Sequence, residues 1–257
     1  MRVALTGAAT GIGAEVARKL TAVGHEVTAF DINEPSVPVK RWVKVDLSDP
    51  GSIADSVNQV DGPFDALINN AGLPPRPGMA ELVLRVNYFG LMDFTNRMLE
   101  KLAKGASVVN TASRAGAFWR DNIEQVKALR ALNADDLPAF IADQGIDATR
   151  AYNLSKEAVI VATIAMTESM IARGIRMNSV SPAAVSTGIL DDFVAAFGER
   201  VAQNIERSGR AGLPEEVADL IMFLASPDSH WIKGQDIVID GGMGAMAMTD
   251  MMGLKGG

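Results

Sequence analysis

Cysteine is absent from the 257 residues, and with it go disulfides, thiol nucleophiles and thiolate metal sites. Histidine is scarce: His25 and His230 are the only two, too few and too isolated for an ordinary zinc site, so no metal is expected. Basic residues are in deficit. The net charge of -7 and pI near 4.9 argue against nucleic acid or an anionic membrane as partner. No apolar run is long enough to cross a bilayer, and a strand pattern beginning at the second residue leaves no room for a leader, so a soluble cytoplasmic protein is expected. Linkers between separate cores are also missing, which predicts one domain over residues 1–257. Core material is plentiful: 48% of residues are hydrophobic against 21% charged, with no signature of disorder.

The chain opens with an apolar run, Val3-Ala4-Leu5, then Thr6-Gly7-Ala8-Ala9-Thr10-Gly11-Ile12-Gly13, then Ala14, Ala17 and Leu20 at helical spacing. This predicts a strand, a tight glycine turn and a helix. Glycines let the main chain turn sharply and approach a ligand, and the free N–H groups of a helix start attract a pyrophosphate. A second strand, Glu26 to Asp31, ends in a carboxylate about twenty residues beyond the turn, where one accepts hydrogen bonds from an adenosine ribose. Asp31 would also repel a ribose 2′-phosphate, and neither Ala9 nor Ile32 supplies a positive charge. NAD is favoured over NADP.

Further strands are expected at Arg41–Val45, Ala66–Ile68, Ser107–Asn110, Arg176–Val180 and Asp236–Asp240. Helices are expected after Pro50, from Ala80 to Lys104 with Gly105 as the stop, from about Ala151 to Ala172, and from Pro214. Residues 115–149 read as a helix-loop-helix excursion, 183–212 as a mobile substrate loop, and the methionine-rich end as flexible apolar packing at a pocket rim or subunit contact. Short apolar strands alternating with amphipathic helices predict an α/β fold, a doubly wound Rossmann arrangement of seven parallel strands with helices on both faces. Ligands bind at the carboxyl ends of such strands, where Asp31, Asn69 and Ser113 fall.

Tyr152 and Lys156 stand one helical turn apart on one face, about 6 Å along the axis. A phenol with a reference pKa of about 10 is a poor acid near neutrality, but a fixed cation nearby favours the phenolate. Tyr152 is therefore expected to be acidified by Lys156 and to exchange a proton with an alcohol oxygen.

Taken together, the chain resembles the short-chain dehydrogenase/reductase family over nearly its whole length. That family's Thr-Gly-x-x-x-Gly-x-Gly is present as Thr6-Gly7 with Gly11 and Gly13, its Asn-Asn-Ala-Gly as Asn69 to Gly72, and its Tyr-x-x-x-Lys as Tyr152 and Lys156. The resemblance implies that Ser113 holds the substrate oxygen and that Asn87 steadies a proton-relay water, alongside catalytic Tyr152 and Lys156. It implies a cofactor surface of Gly7, Thr10, Gly11, Ile12, Gly13, Asp31, Asp46, Leu47, Asn69, Ala71, Gly72, Tyr152, Lys156, Pro182, Val185 and Thr187. The family's Pro-Gly-x-x-x-Thr appears with Ala183 in place of glycine, which makes the backbone there less free.

Thirty-nine positions separate Ser113 from Tyr152, more than the family ordinarily has. With the Val-Asn-Tyr-Phe-Gly at Val86 to Gly90, this insertion resembles the 3α-hydroxysteroid dehydrogenase/carbonyl reductase group and its relatives acting on coniferyl-type alcohols. The resemblance implies a homodimer or homotetramer whose packing the insertion alters. The expected substrate is an apolar, ring-containing alcohol, ketone or aldehyde, because Phe118, Trp119, Leu190, Phe193 and Phe197 flank the site. A compact keto acid would ask for an arginine clamp; none is evident, with Arg114 and Arg120 left open. The alternatives are a cis-dihydrodiol dehydrogenase and a non-catalytic NAD-sensing protein of the same fold.

Overall fold

A computed structural model describes residues 1–254. Its first half-sheet is built from β1 (Arg2–Thr6), α1 (Gly11–Ala22), β2 (Glu26–Asp31), β3 (Arg41–Lys44), α2 (Pro50–Asn58) and β4 (Phe64–Asn69). There follow α3 (Ala80–Leu84), a π-helical segment (Arg85–Gly90), α4 (Leu91–Met98) and β5 (Leu102–Thr111). The insertion supplies α5 (Ile123–Ala131) and α6 (Leu137–Gln144), and the helix carrying the Tyr–Lys pair is α7 (Ala148–Ala165), followed by α8 (Thr167–Ala172). The chain ends with β6 (Arg176–Pro182), α9 (Leu190–Phe197), α10 (Glu199–Ser208), α11 (Pro214–Ala225), β7 (Asp236–Ile239) and α12 (Met243–Met252).

All seven strands pair in parallel in the order β3-β2-β1-β4-β5-β6-β7. The order reverses between β1 and β4, which opens a crevice at the carboxyl ends of these strands. One face of the sheet is sealed by Val16 and Leu20 of α1 with Ile221 and Leu224 of α11. The other face buries Phe30, Phe64 and Phe94, and the insertion extends that layer by packing Val126, Leu129 and Leu137 with Leu154 and Ala158 of α7. Both sides are covered, as the continuous apolar strands require.

Three expected elements differ. The helix foreseen from Ala80 to Lys104 ends at Lys101 and carries the π-helical segment inside it. Gly105 does not stop it; Gly105 lies within β5 at φ +92° and donates its N–H to Gly174, where the β4–β5 register shifts. The helix foreseen from Ala151 to Ala172 is two helices meeting at Met166, flanked by Thr163 and Thr167, whose hydroxyls donate back to the carbonyls of Val159 and Thr163. Such back-bonding bends helices. The substrate loop is largely helical, as α9 and α10.

Candidate active site

The glycine turn is shaped by contact. A Cβ on Gly7 would sit 2.6 Å from Cα of Ala71, and one on Gly13 would sit 1.9 Å from the carbonyl oxygen of Gly7. No side chain fits at either position, so β1, the Asn-Asn-Ala-Gly loop and α1 meet backbone to backbone. Thr10 leads into α1 without a side-chain cap, which leaves the first-turn N–H groups facing the crevice. Asp31 closes the far end by accepting from the N–H groups of Ala9 at 2.9 Å and Asn33 at 3.0 Å. Asp46 accepts from the N–H and hydroxyl of Ser48.

The crevice is a cavity of about 930 Å³. Gly7, Thr10, Gly11, Ile12, Asp31, Asp46, Leu47, Ala71 and Gly72 line it from the first half of the sheet. Ser113, Tyr152, Lys156, Pro182, Val185 and Thr187 line it from the second. The residue at Ala183 adopts an ordinary backbone conformation, no non-glycine residue in the described chain having positive φ. The glycine-to-alanine change there is accommodated without strain.

Three expected site residues do not line this cavity. Gly13 is pinned behind the turn by the close contact just described. Asn69 points the other way: its amide donates to Thr95 and Asn110, each at 2.8 Å, in a buried seam that Asn110 continues to Thr163. Its neighbour Asn70 lines the cavity instead, because successive strand residues face opposite sides. Asn87 is fully buried. Its oxygen accepts from Leu73 N–H at 2.7 Å and its amide donates to Leu73 carbonyl at 3.0 Å, so it clamps the loop beside Gly72.

The Tyr–Lys pair departs from expectation in its electrostatics. Ser113 is the side chain that favours the Tyr152 phenolate, and its own oxygen accepts from Ala115 N–H. Lys156 Nζ lies 5.7 Å from the centre of the Tyr152 ring and donates to the Thr111 carbonyl at 2.9 Å. Both side chains are buried, at 6% and 5% exposure. Burial disfavours the charged form of each: it pushes the phenol up to about 12, against the lowering by Ser113, and pushes the ammonium down to about 8. The phenol in the protein alone is thus proton-loaded, not acidified.

Of the five apolar residues expected to flank the site, Phe118, Phe193 and Phe197 line the cavity, whereas Trp119 and Leu190 do not. Phe193 packs edge-on to Tyr152 at 5.2 Å between ring centres, and Phe197 at 6.4 Å. Sequence reasoning missed Asn153 and Asn204, which also line the cavity, as do Met243 and Ala247 of the methionine-rich end read as a pocket rim or subunit contact.

The family profile described as short chain dehydrogenase matches residues 2–123, and that described as enoyl-(acyl carrier protein) reductase matches residues 137–244. A coniferyl-alcohol dehydrogenase of Pseudomonas sp. is 35% identical over 247 residues, covering 94% of this chain and 96% of that protein. The chain belongs to the short-chain dehydrogenase/reductase family. A 3-alpha-hydroxysteroid dehydrogenase/carbonyl reductase of Comamonas testosteroni is 32% identical, covering 95% of this chain and 96% of that one. The crystal structure of a 3-alpha-hydroxysteroid dehydrogenase from Pseudomonas sp. B-0831, complexed with NADH, superposes with a TM-score of 0.84 at 29% identity over the whole of both chains. Among the described residues no helix is long and apolar enough to cross a membrane.

Proposed function

We propose that this short-chain dehydrogenase/reductase interconverts an alcohol and a carbonyl on an apolar, ring-bearing substrate with NAD(H), using Tyr152 as proton donor and acceptor. The observation that carries the reading is one cavity lined by the glycine cradle and by Ser113 and Tyr152, with the rings of Phe193 and Phe197 against the Tyr152 ring. The cradle fits a dinucleotide. Gly7, Thr10, Gly11 and Ile12 would hold the pyrophosphate, Asp31 the adenosine ribose, Lys156 the nicotinamide ribose, and Val185 and Thr187 the nicotinamide. At the adenosine end the lining residues Asp31, Ile32, Asn33, Asp46 and Ser48 include no cation to receive a 2′-phosphate, which supports NAD over NADP. When bound, the nicotinamide supplies or accepts the hydride.

Ser113 orients the substrate oxygen, and Tyr152 gives that oxygen a proton in reduction or takes one in oxidation. With the phenol raised to about 12, the donor form is present across the neutral range, so reduction needs no alkaline medium. Oxidation needs the phenolate, so its rate should rise with pH while that of reduction does not. Lys156 at about 8 stands near its midpoint and is placed to take up or release the next proton. Asn87, two bonds deep on Leu73, serves as a positioning residue for the loop between cofactor and catalytic helix.

A screen of hydroxysteroids, aromatic alcohols and dihydrodiols, followed by NADH absorbance with NAD and NADP in parallel, tests the class. Tyr152→Phe should lower kcat by at least about a hundredfold while still binding NADH. Turnover unchanged by the loss of that hydroxyl would overturn the mechanism. A chain that binds NADH and turns over nothing in the panel would instead be an NAD sensor.

A further inference from the structure

Four charged side chains line the cavity: Asp31, Asp46, Lys156 and Arg114. The two acids stand at the adenosine end and Lys156 belongs to the proton path. Arg114 follows Ser113 directly and has no part in either.

Its partner is Asp240, at the end of β7. Asp240 Oδ2 lies 3.3 Å from Arg114 Nε, but that carboxylate is already engaged, accepting from Gly242 N–H at 3.0 Å and Gly244 N–H at 2.8 Å. The Arg114 guanidinium makes no hydrogen bond among the described residues, its charge also acts on the Asp236 carboxylate, and its side chain is 33% exposed. A Cβ on Gly244 would approach Arg114 Nη2 to 3.1 Å, so the absence of a side chain there makes room for the guanidinium beneath α12. The result is a cation oriented through one edge, with its outer N–H donors unused, in a cavity otherwise walled on the substrate side by Phe118, Phe193, Phe197 and Met243. A planar fork of this kind matches a carboxylate, which can accept two parallel bonds.

Resting on the ring-alcohol reading above, we propose that Arg114 is a specificity-determining residue that selects substrates bearing a carboxylate remote from the reacting carbinol or carbonyl carbon. The preferred substrates are then ring-bearing hydroxy or oxo acids: an apolar body for the aromatic walls and one anionic end for the guanidinium.

The test compares each acid with its own uncharged ester. Two ring ketones of different reach, 4-oxocyclohexanecarboxylate and 3-oxo-5β-cholanate, are assayed against their methyl esters with NADH, in wild type, Arg114→Met and Arg114→Lys. For at least one pair, wild type should prefer the acid by tenfold or more in kcat/KM. The preference should collapse toward unity in Arg114→Met and return in part in Arg114→Lys; because it is a ratio within each variant, general damage to the fold cancels. Equal turnover of acid and ester by wild type, or a preference that survives Arg114→Met, would overturn the proposal. So would a tenfold weaker NADH affinity in Arg114→Met with the ratio unmoved, since Arg114 would then be a cofactor contact. Turnover of esters alone would overturn the carboxylate site and leave the ring-alcohol reading standing, whereas turnover of no acid and no ester would remove both.

Discussion

The two walls of the cavity are held by different physics. On the nucleotide side, backbone meets backbone: Gly7 against Ala71, Gly13 against Gly7, and Gly90, where a Cβ would lie 2.0 Å from the carbonyl oxygen of Leu47. On the substrate side, α9 and α12 bury none of their residues, and long side chains do the holding: Arg76 with Asp192, Arg207 with Asp250, Arg210 with Glu216. Close backbone packing tolerates almost no change of volume. Exposed ion pairs are weak and adjustable. The wall that must fit an invariant cofactor is rigid, and the wall that must fit a particular substrate is tethered.

Glycine-to-alanine changes should separate the walls most sharply. Alanine is ordinarily the better helix residue, yet Gly13→Ala drives a methyl onto the Gly7 carbonyl and must displace the turn. We expect a loss of about 3 kcal/mol, or a melting temperature lower by roughly 6–12 °C for a chain of this size, with NADH affinity reduced at least tenfold. Gly188, on the substrate side, has ordinary φ and nothing within 4 Å of an added Cβ. Gly188→Ala should leave the melting temperature unchanged or slightly raised. Thermal melts with and without NADH measure both, and equal losses would dissolve the contrast.

The buried pair at the floor makes the next largest effect, and its sign depends on pH. Lys156 falls from 10.5 to about 8 in the fold, so the folded state binds fewer protons than the unfolded one between these values, and stability rises with pH across that window. Below about 8 the stabilisation is gone. Tyr152 runs oppositely: raised from 10.0 to about 12, it favours folding up to pH 10 and loses that contribution as pH climbs through 12. Lys156→Met should remove the alkaline rise, worth on the order of 3 kcal/mol between pH 8 and 10.5. Identical pH slopes in wild type and Lys156→Met melts would refute this.

What the sequence disclosed follows the same division. Gly7, Gly11, Asp31, Ser113, Tyr152 and Lys156 were legible because each lies within a short stretch whose local geometry fixes its direction: a turn, a strand end, one face of a helix. Asn69 was misread by one position, since the strand ends where its alternation decides which asparagine faces the cavity. Gly105 resembles a helix stop because glycine serves both there and at a strand irregularity. The π-helical segment leaves no pattern beyond Asn87 and the small Gly90, both of which answer to distant backbone at Leu73 and Leu47. Arg114, α9 and α12 answer to long-range partners, and no local period announces those.

The smallest expected effect is the most selective. Arg76, in the proline-rich loop, meets Asp192 of α9 through two parallel bonds, Nε to Oδ1 and Nη2 to Oδ2, each 2.9 Å. One residue further along α9 is Phe193, whose ring covers Tyr152. The guanidinium holds the Asp192 carboxyl below its usual range, so the pair stays ionised at any working pH. Arg76 is solvent-exposed and Asp192 only half-buried, so little global stability rests on the pair, and Arg76→Ala should shift the melting temperature by no more than about 1 °C. Its consequence is local: untethered, α9 covers the phenol for less of the time, and KM for a ring substrate should rise a few-fold with kcat nearly constant. Raising salt should mimic the mutation in wild type and do nothing further in Arg76→Ala. The charge exchange Arg76→Asp with Asp192→Arg should restore part of the lost KM, which neither single reversal does. A KM insensitive to both salt and Arg76→Ala would mean that α9 is seated by Phe193 and Phe197 alone, and that the substrate wall is held as firmly as the nucleotide wall it faces.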